Sequence, residues 1–305
     1  MRAFATVIAF VALVGGPQFA FAASALPAPP ELAASRRLFD SWKAPVPPRH
    51  LVANIYYVGA SGVSAFLVTT PAGHFLLDTG FEDTVPLIAR SVEQLGFKPA
   101  DIKFILSSHA HNDHTGGHAA MQRLTGAQIV ASAADARVLA TGGEDDFSPF
   151  PKELMRYTPV KADRIVRDGE SVSLGGVTLT AQLTPGHTRG ATTWTMTVQD
   201  EGVARHVVFF SSASIVNGTS LVQNPPYPTI ADDYRATIAK LKALPCDIWF
   251  SPHGGNFALG EKLARVDRGV KPNPFIDPEG WKKLVATTEQ SFQRQLELES
   301  APAKK

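Results

Sequence analysis

Residues 107–118 read S-S-H-A-H-N-D-H-T-G-G-H. His109, His111, Asp113 and His114, all metal-capable, fall within six positions of this run. A fold that contains it must supply a rim where these donors meet others. In extended chain the side-chain period is two, so His109 and His111 face the same side. Asp113 and His114 are adjacent and point apart, which suits two ions side by side. Two more donors follow apolar strand-like runs, as His109 follows F-I-L-S-S: His187 after L-T-A-Q-L-T-P-G, and His253 after D-I-W-F-S-P. Loops at strand ends on one rim bring distant residues together. Five of the nine histidines fall in this set, which scattered surface residues would not do. Imidazole and carboxylate without thiolate suit Zn2+ and other borderline divalent ions. Six donors divide into three and three, and a catalytic zinc keeps three protein ligands with one position open.

The rest of the chain bounds the reading. Its 305 residues suit one large domain or two fused halves, and 44% hydrophobic with 19% charged residues excludes a disordered chain. A formal charge of +1 provides no basic field for nucleic acid and no acidic tail for a basic partner. Residues 1–22 read as a secretory signal peptide: Arg2, an apolar run, then Ala20-Phe21-Ala22 as a small-x-small cleavage site. The run is too short for a spanning helix with polar flanks, and no Arg-Arg pair marks a twin-arginine route. A periplasmic protein is therefore expected, with no membrane association after the leader is removed. Its removal takes one basic residue, Arg2, from 29, against 28 acidic ones, so the mature chain is neutral. The single cysteine, Cys246, can form no internal disulfide and reads as a small buried residue.

Residues 23–50, rich in Pro and Ala, read as an extended N-terminal arm with Phe39 and Trp42 as isolated anchors. One domain is expected over 51–305, built of two similar α/β halves. Apolar runs at 51–58, 64–69, 74–78, 102–106, 177–183, 192–198, 206–210 and 247–250 predict strands. Helical spacing predicts helices over 84–95, 114–124 and 232–244, and from about Pro278 onward. The segment 141–161, with three prolines and two glycines, reads as a long loop of the kind that acts as a lid. Its Phe147, Phe150 and Tyr157 are expected to fold over the metal rim, with Phe150 touching substrate.

With His187 and His253 joined to H-x-H-x-D-H, the chain resembles the metallo-β-lactamase superfamily. More narrowly it is similar to the third subclass of true metallo-β-lactamases, the branch whose ligands are all His and Asp. The flanking segments that carry the narrower likeness include S-W-K-A-P-V-P-P (41–48), Y-Y-V-G-A-S-G (56–62), L-L-D-T-G (76–80), D-R-I-V-R-D-G-E (163–170), T-P-G-H-T (184–188), N-P-P-Y-P (224–228), A-L-P-C-D (243–247) and S-P-H-G-G (251–255).

The resemblance implies an αββα sandwich and two zinc ions. His109, His111 and His187 would bind the first, and Asp113, His114 and His253 the second. A hydroxide between them, oriented by Asp113, would attack the carbonyl of a β-lactam. The first zinc would polarise that carbonyl and the second would stabilise the leaving nitrogen. Ser212 stands where other branches place a bridging aspartate or a zinc-binding cysteine. With Ser214 it is expected to hydrogen-bond the substrate carboxylate. Asp78 is expected either to orient ligand histidines or to cap a turn. His118 is expected to face solvent or to lie behind the ligands, and His50, His74 and His206 to lie on the surface. The partner is a small molecule, and a monomer is favoured. A glyoxalase-II-like thioesterase or a lactonase of the same fold is the alternative, though it would be expected to carry an aspartate near Ser212. A non-catalytic exported zinc-binding protein would not need open metal positions. Two departures stand out: no second cysteine occurs near 272–279 to pair with Cys246, and the 141–161 loop differs in detail.

Overall fold

The computed structural model describes residues 30–301. The expected leader, 1–22, and the start of the arm lie outside the described residues. The remaining arm is not extended as expected: Pro30–Trp42 is a helix, α1. Its sequence is dense in Ala, Leu and Arg, and proline is tolerated in the first helical turn. The expected single strand over 51–58 is also corrected. It is a tight hairpin of β1 (Arg49–Val52) and β2 (Ile55–Tyr57), with Ala53 at φ 48° in the turn. Asn54 holds the turn by donating its side-chain amide to the Thr69 carbonyl at 2.7 Å.

Next come β3 (Phe66–Thr70), β4 (Gly73–Leu77), α2 (Val85–Gln94) and β5 (Ile102–Leu106). The expected helix over 114–124 is two pieces, α3 (Asn112–Thr115) and α4 (His118–Thr125). They part at Gly116-Gly117, where the Gly117 N–H donates to Gly80 O at 2.9 Å. A Cβ on Gly117 would lie 2.7 Å from Thr79 O, so this close approach requires glycine. Then follow β6 (Gln128–Ser132), α5 (Ala133–Ala140), the one-turn α6 (Lys152–Met155) inside the long loop, and β7 (Arg164–Val166). The second half holds β8 (Ser171–Leu174), β9 (Val177–Leu183), β10 (Thr192–Asp200), β11 (Val203–Phe209), α7 (Ile230–Ala243), β12 (Ile248–Phe250), α8 (Leu259–Asp267) and α9 (Pro278–Ser300). No described helix is long and apolar enough to cross a membrane.

The strands form two sheets, one ordered β1 through β7 and the other β12-β11-β10-β9-β8. Strand alternation explains how they are buried. Phe66, Val68, Phe75, Leu77, Leu106 and Val130 point into the core shared with Trp194, Met196 and Phe209 of the second sheet. The intervening Leu67, Leu76, Ile105 and Ile129 point outward, onto Ile88 and Val92 of α2 and Met121 of α4. On the far side Tyr234 of α7 stacks on Phe292 of α9 at 5.7 Å. This is the expected αββα sandwich. Strands buried on both faces read as continuous apolar runs, and full burial of each such side chain is worth roughly 1.5–3 kcal/mol.

Topology then sets the rim. β4 to β7 run parallel, as do β11 and β12, and β9 shares the direction of β11 because both are antiparallel to β10. The carboxyl ends of β5, β9 and β12 lead to His109, His187 and His253, and that of β11 leads to Ser212. Trp194 is fully buried and donates its Nε1–H to Ser107 O at 3.0 Å, tying the second sheet to the chain just before His109.

Candidate metal centre

The residues after β5 leave the sheet through Ser107 and Ser108, and the Ser108 carbonyl accepts the Thr192 N–H at 2.7 Å. His111 then caps α3 in extended conformation, and the single turn of α3 carries Asp113 and His114. Two trios of donors result: His109, His111 and His187, and Asp113, His114 and His253. Within each, the candidate ligand atoms all lie within 4.8 Å of one another. The trios adjoin: the His109 ring lies 4.7 Å from that of His187 and 4.3 Å from that of His114.

Hydrogen bonds to the outward ring nitrogens define the inward ones. His187 Nδ1 lies 2.7 Å from Ser214 O, and His253 Nδ1 lies 2.9 Å from Gly62 O. A carbonyl only accepts, so each Nδ1 carries the proton and each Nε2 keeps a lone pair. His109 Nδ1 lies 3.1 Å from Ser108 Oγ, whose hydroxyl donates to Asp78 Oδ2 at 2.6 Å. Asp78 Oδ2 is also 3.8 Å from His114 Nδ1. Asp78 therefore lies behind the donors, linked to His109 through Ser108, and it sits at φ 59°. Burial raises its pKa to about 6, against the opposing pull of His114 and Ser108.

The chemistry of the two trios fits divalent metal. Burial, then the neighbouring imidazoles, holds His109 well below the usual histidine range. Burial, then His111, brings His187 down to about 3. His253 is lowered by burial and by His114. These rings are thus neutral donors near pH 7. Burial pushes the Asp113 carboxyl up, but His114, His253 and His111 outweigh it and hold the group below the usual carboxylate range. Burial also depresses His111, and Asp146, 3.7 Å from its Nε2, reverses that shift. His111 Nε2 and both ring nitrogens of His114 are buried without hydrogen-bond partners. Leaving such atoms unpaired costs about 1–3 kcal/mol each, a penalty that ligation of a metal would offset at one nitrogen of each ring. His114 Nε2 lies 3.0 Å from Asp113 Oδ2, so these two donors converge on one point.

A cavity of about 200 Å3 opens over both trios. Ser212 and Ser214 line it, with their hydroxyls 3.3 Å apart. The backbone of Ser214 has a second use, since its carbonyl accepts from both His187 and Tyr234. Of the three loop aromatics only Phe150 lines the cavity. Phe147 turns away to pack on Tyr227 at 4.8 Å and under Arg189, which corrects its expected place over the rim. Tyr157 is corrected likewise: its hydroxyl donates to Ala110 O at 3.0 Å beneath the site. The sequence reading missed Phe39 and Trp42 as site residues. Phe39 stacks on Phe150 at 5.9 Å with 4° between planes, and Trp42 packs on His253 at 4.8 Å. Their i, i+3 spacing, on one face of a helix, was the available signal.

The expectations for the four other histidines are settled by position. His118 is buried, with Nδ1 2.8 Å from Thr79 Oγ1, and it belongs to neither trio. His74 is not a surface residue: it is buried edge-on against Phe97 at 5.0 Å. His50 and His206 are exposed as expected. The Cys246 thiol donates to Ile248 O at 3.4 Å, and burial raises its pKa, as befits a residue away from the metal centre. A larger cleft of about 440 Å3 beside Asp146 and Arg189 contains no member of either trio.

Two packed sheets thus carry two trios of metal-capable donors on one rim, an arrangement suited to a metallo-hydrolase. The Metallo-beta-lactamase superfamily profile matches residues 58–253, and the chain belongs to that superfamily. Among solved structures it is similar to native FEZ-1 metallo-β-lactamase from Legionella gormanii. The identity is 39% and the TM-score 0.82, over 85% of this chain and 98% of that one. It is also similar to BJP-1, a subclass B3 metallo-β-lactamase of Bradyrhizobium japonicum, at 42% identity and TM-score 0.79, over 84% of this chain and 96% of that one. Among curated proteins, the N-acyl homoserine lactonase AttM of Agrobacterium fabrum is 28% identical over 155 residues, covering 42% of this chain and 57% of that protein. The chain spans about half the length of the curated relatives it matches.

Proposed function

We propose that the chain hydrolyses the amide bond of β-lactam antibiotics, and so confers resistance to them, with two zinc ions held by His109, His111 and His187 and by Asp113, His114 and His253. The observation that carries this reading is the pair of adjoining trios under one open cavity whose lining adds hydroxyls, Ser212 and Ser214, rather than a further carboxylate. When bound, zinc supplies Lewis acidity that polarises a carbonyl and makes water a nucleophile at neutral pH. The chain's own groups do the rest. Asp113 stays ionised among three histidines and orients the attacking water. Ser212 and Ser214 donate hydrogen bonds to the substrate carboxylate. Asp78 and Ser108 hold the His109 tautomer. Phe150, backed by Phe39, gives an apolar wall for the substrate's variable side group.

The N-acyl homoserine lactonase similarity favours a second reading, hydrolysis of a lactone on the same rim. Ser212 argues against it, because the lactonase branch is expected to place an aspartate there. A panel of a penicillin, a cephalosporin, a carbapenem, an acyl-homoserine lactone and an acyl thioester separates the two. The β-lactams are expected to be turned over with much the higher kcat/KM. Lactone turnover above that of every β-lactam would replace the first reading with the second. Residues 1–22 are proposed to export the chain to the periplasm, where residues 51–305 act as one domain and as a monomer.

Phe150 gives a sharper expectation. Phe150→Ala removes one ring of the stacked pair and is expected to raise KM unevenly, most for substrates with large side groups. Unchanged KM for every penicillin, cephalosporin and carbapenem in the panel would take this ring out of substrate contact.

A further inference from the structure

Asp135 is 2% exposed and belongs to neither trio, yet its carboxylate ties together the two segments that carry the first one. Oδ2 accepts the Ala110 N–H at 3.0 Å and the Thr188 hydroxyl at 3.0 Å. Oδ1 accepts the Gly190 N–H at 2.9 Å. Ala110 is the residue between His109 and His111, and Thr188 directly follows His187. The contact is close by construction: a Cβ on Gly190 would lie 2.5 Å from Asp135 Oδ1 and 2.2 Å from Ser132 Oγ. Ser132, which caps α5, fixes the arrangement by accepting the Asp135 N–H at 3.3 Å and donating its hydroxyl to Gly190 O at 2.7 Å. Among the described residues, Asp135 makes no ion pair with lysine or arginine, and none of its hydrogen bonds reaches Asp113, His114, His253 or a residue next to them in sequence. A buried carboxylate without a cationic partner is costly, so a feature of this kind calls for a role.

We infer that Asp135 is a positioning residue for the His109–His111–His187 trio, setting the distance between the strand ends that deliver those three rings, and that it has no such role for the second trio. The inference rests on the reading of both trios as metal sites. Asp135→Asn keeps the shape but offers one oxygen in place of two. Ala110 and Gly190 present N–H groups to opposite oxygens, and neither can accept a hydrogen bond in return. One of them must then face an amide NH2, which pushes the two segments apart.

The test isolates each trio in the full chain. His253→Ala leaves the first trio as the only complete set of three, and His187→Ala leaves the second. Zinc is titrated into each background, with and without Asp135→Asn, against a competing chelator, and the melting temperature of each metal-free protein is recorded. In the His253→Ala background, Asp135→Asn is expected to weaken zinc binding by about ten- to a hundredfold, the scale seen when the partner of a ligand histidine is lost, with less than about a twofold change in the His187→Ala background. Equal weakening in both backgrounds would make Asp135 a general structural residue and overturn the inference, as would unchanged affinity in the first. Should Asp135→Asn fail to fold, Thr188→Val decides in its place. It removes one of the three bonds and is expected to produce a smaller loss confined to the same background, whereas no loss there would overturn the inference. A parent chain that binds no zinc would instead overturn the metal reading itself, and the two failures are therefore distinguishable.

Discussion

Asp113→Asn is expected to lower kcat for a cephalosporin by two to three powers of ten, corresponding to ~3–4 kcal/mol of barrier. The substitution keeps the shape and one oxygen but removes the negative charge that His114, His253 and His111 hold in place. It also leaves His114 Nε2, 3.0 Å away, facing a neutral amide. Zinc should bind more weakly at the second trio, but the loss in kcat should persist at saturating zinc because orientation of the attacking water is lost as well. Ser212→Ala is the comparison. Ser212 lines the cavity, with its hydroxyl 3.3 Å from that of Ser214 and outside both trios, so its removal should mainly raise KM. Steady-state kinetics of both variants at saturating zinc separate the roles. Near-parental turnover by Asp113→Asn, together with lost turnover in Ser212→Ala, would reverse the assignment.

Metal removal is expected to act on stability as well as on activity. Metal analysis of the purified protein after mild dialysis should give about two equivalents of zinc, one per trio of donors. A ligand that binds only the folded state adds about 2.7 kcal/mol at a hundred times its Kd. For a domain of this size each kcal/mol moves Tm by roughly 2–4 °C, so stripping one such ion should lower Tm by about 5–10 °C. The buried ring nitrogens of His111 and His114, unpartnered once metal is gone, give the direction of the effect. A chain that retains full activity with one equivalent, or whose Tm is indifferent to a chelator, would contradict paired metal sites.

The donors were legible in the sequence because local rules govern them. A histidine just past an apolar strand lies at a sheet rim whatever the rest of the fold, and the period of two puts His109 and His111 on one side. The ends of β5 and β12 lead to His109 and His253, whose side chains line one cavity. The aromatic wall was not legible, for a different reason. Prolines on both sides of Pro30–Trp42 suggested extended chain, but they flank the helix instead of interrupting it. The 51–58 hairpin hides in a continuous apolar run because its turn, Ala53-Asn54, has no glycine and is held by Thr69 from another strand. Asp135 is the extreme case. In A-S-A-A-D-A-R-V it reads as an ordinary acidic residue in the first turn of a helix, and only the folded chain brings Ala110, Thr188 and Gly190 to its oxygens.

The central claim is zinc-dependent β-lactam hydrolysis, and one measurement tests it most directly. Purified protein is assayed on a chromogenic cephalosporin as isolated, after stripping with a chelator, and after zinc is returned. Hydrolysis that disappears on stripping and returns with zinc is the predicted result. Protein that binds zinc yet leaves the cephalosporin intact, or that hydrolyses it equally well when stripped, would contradict the account.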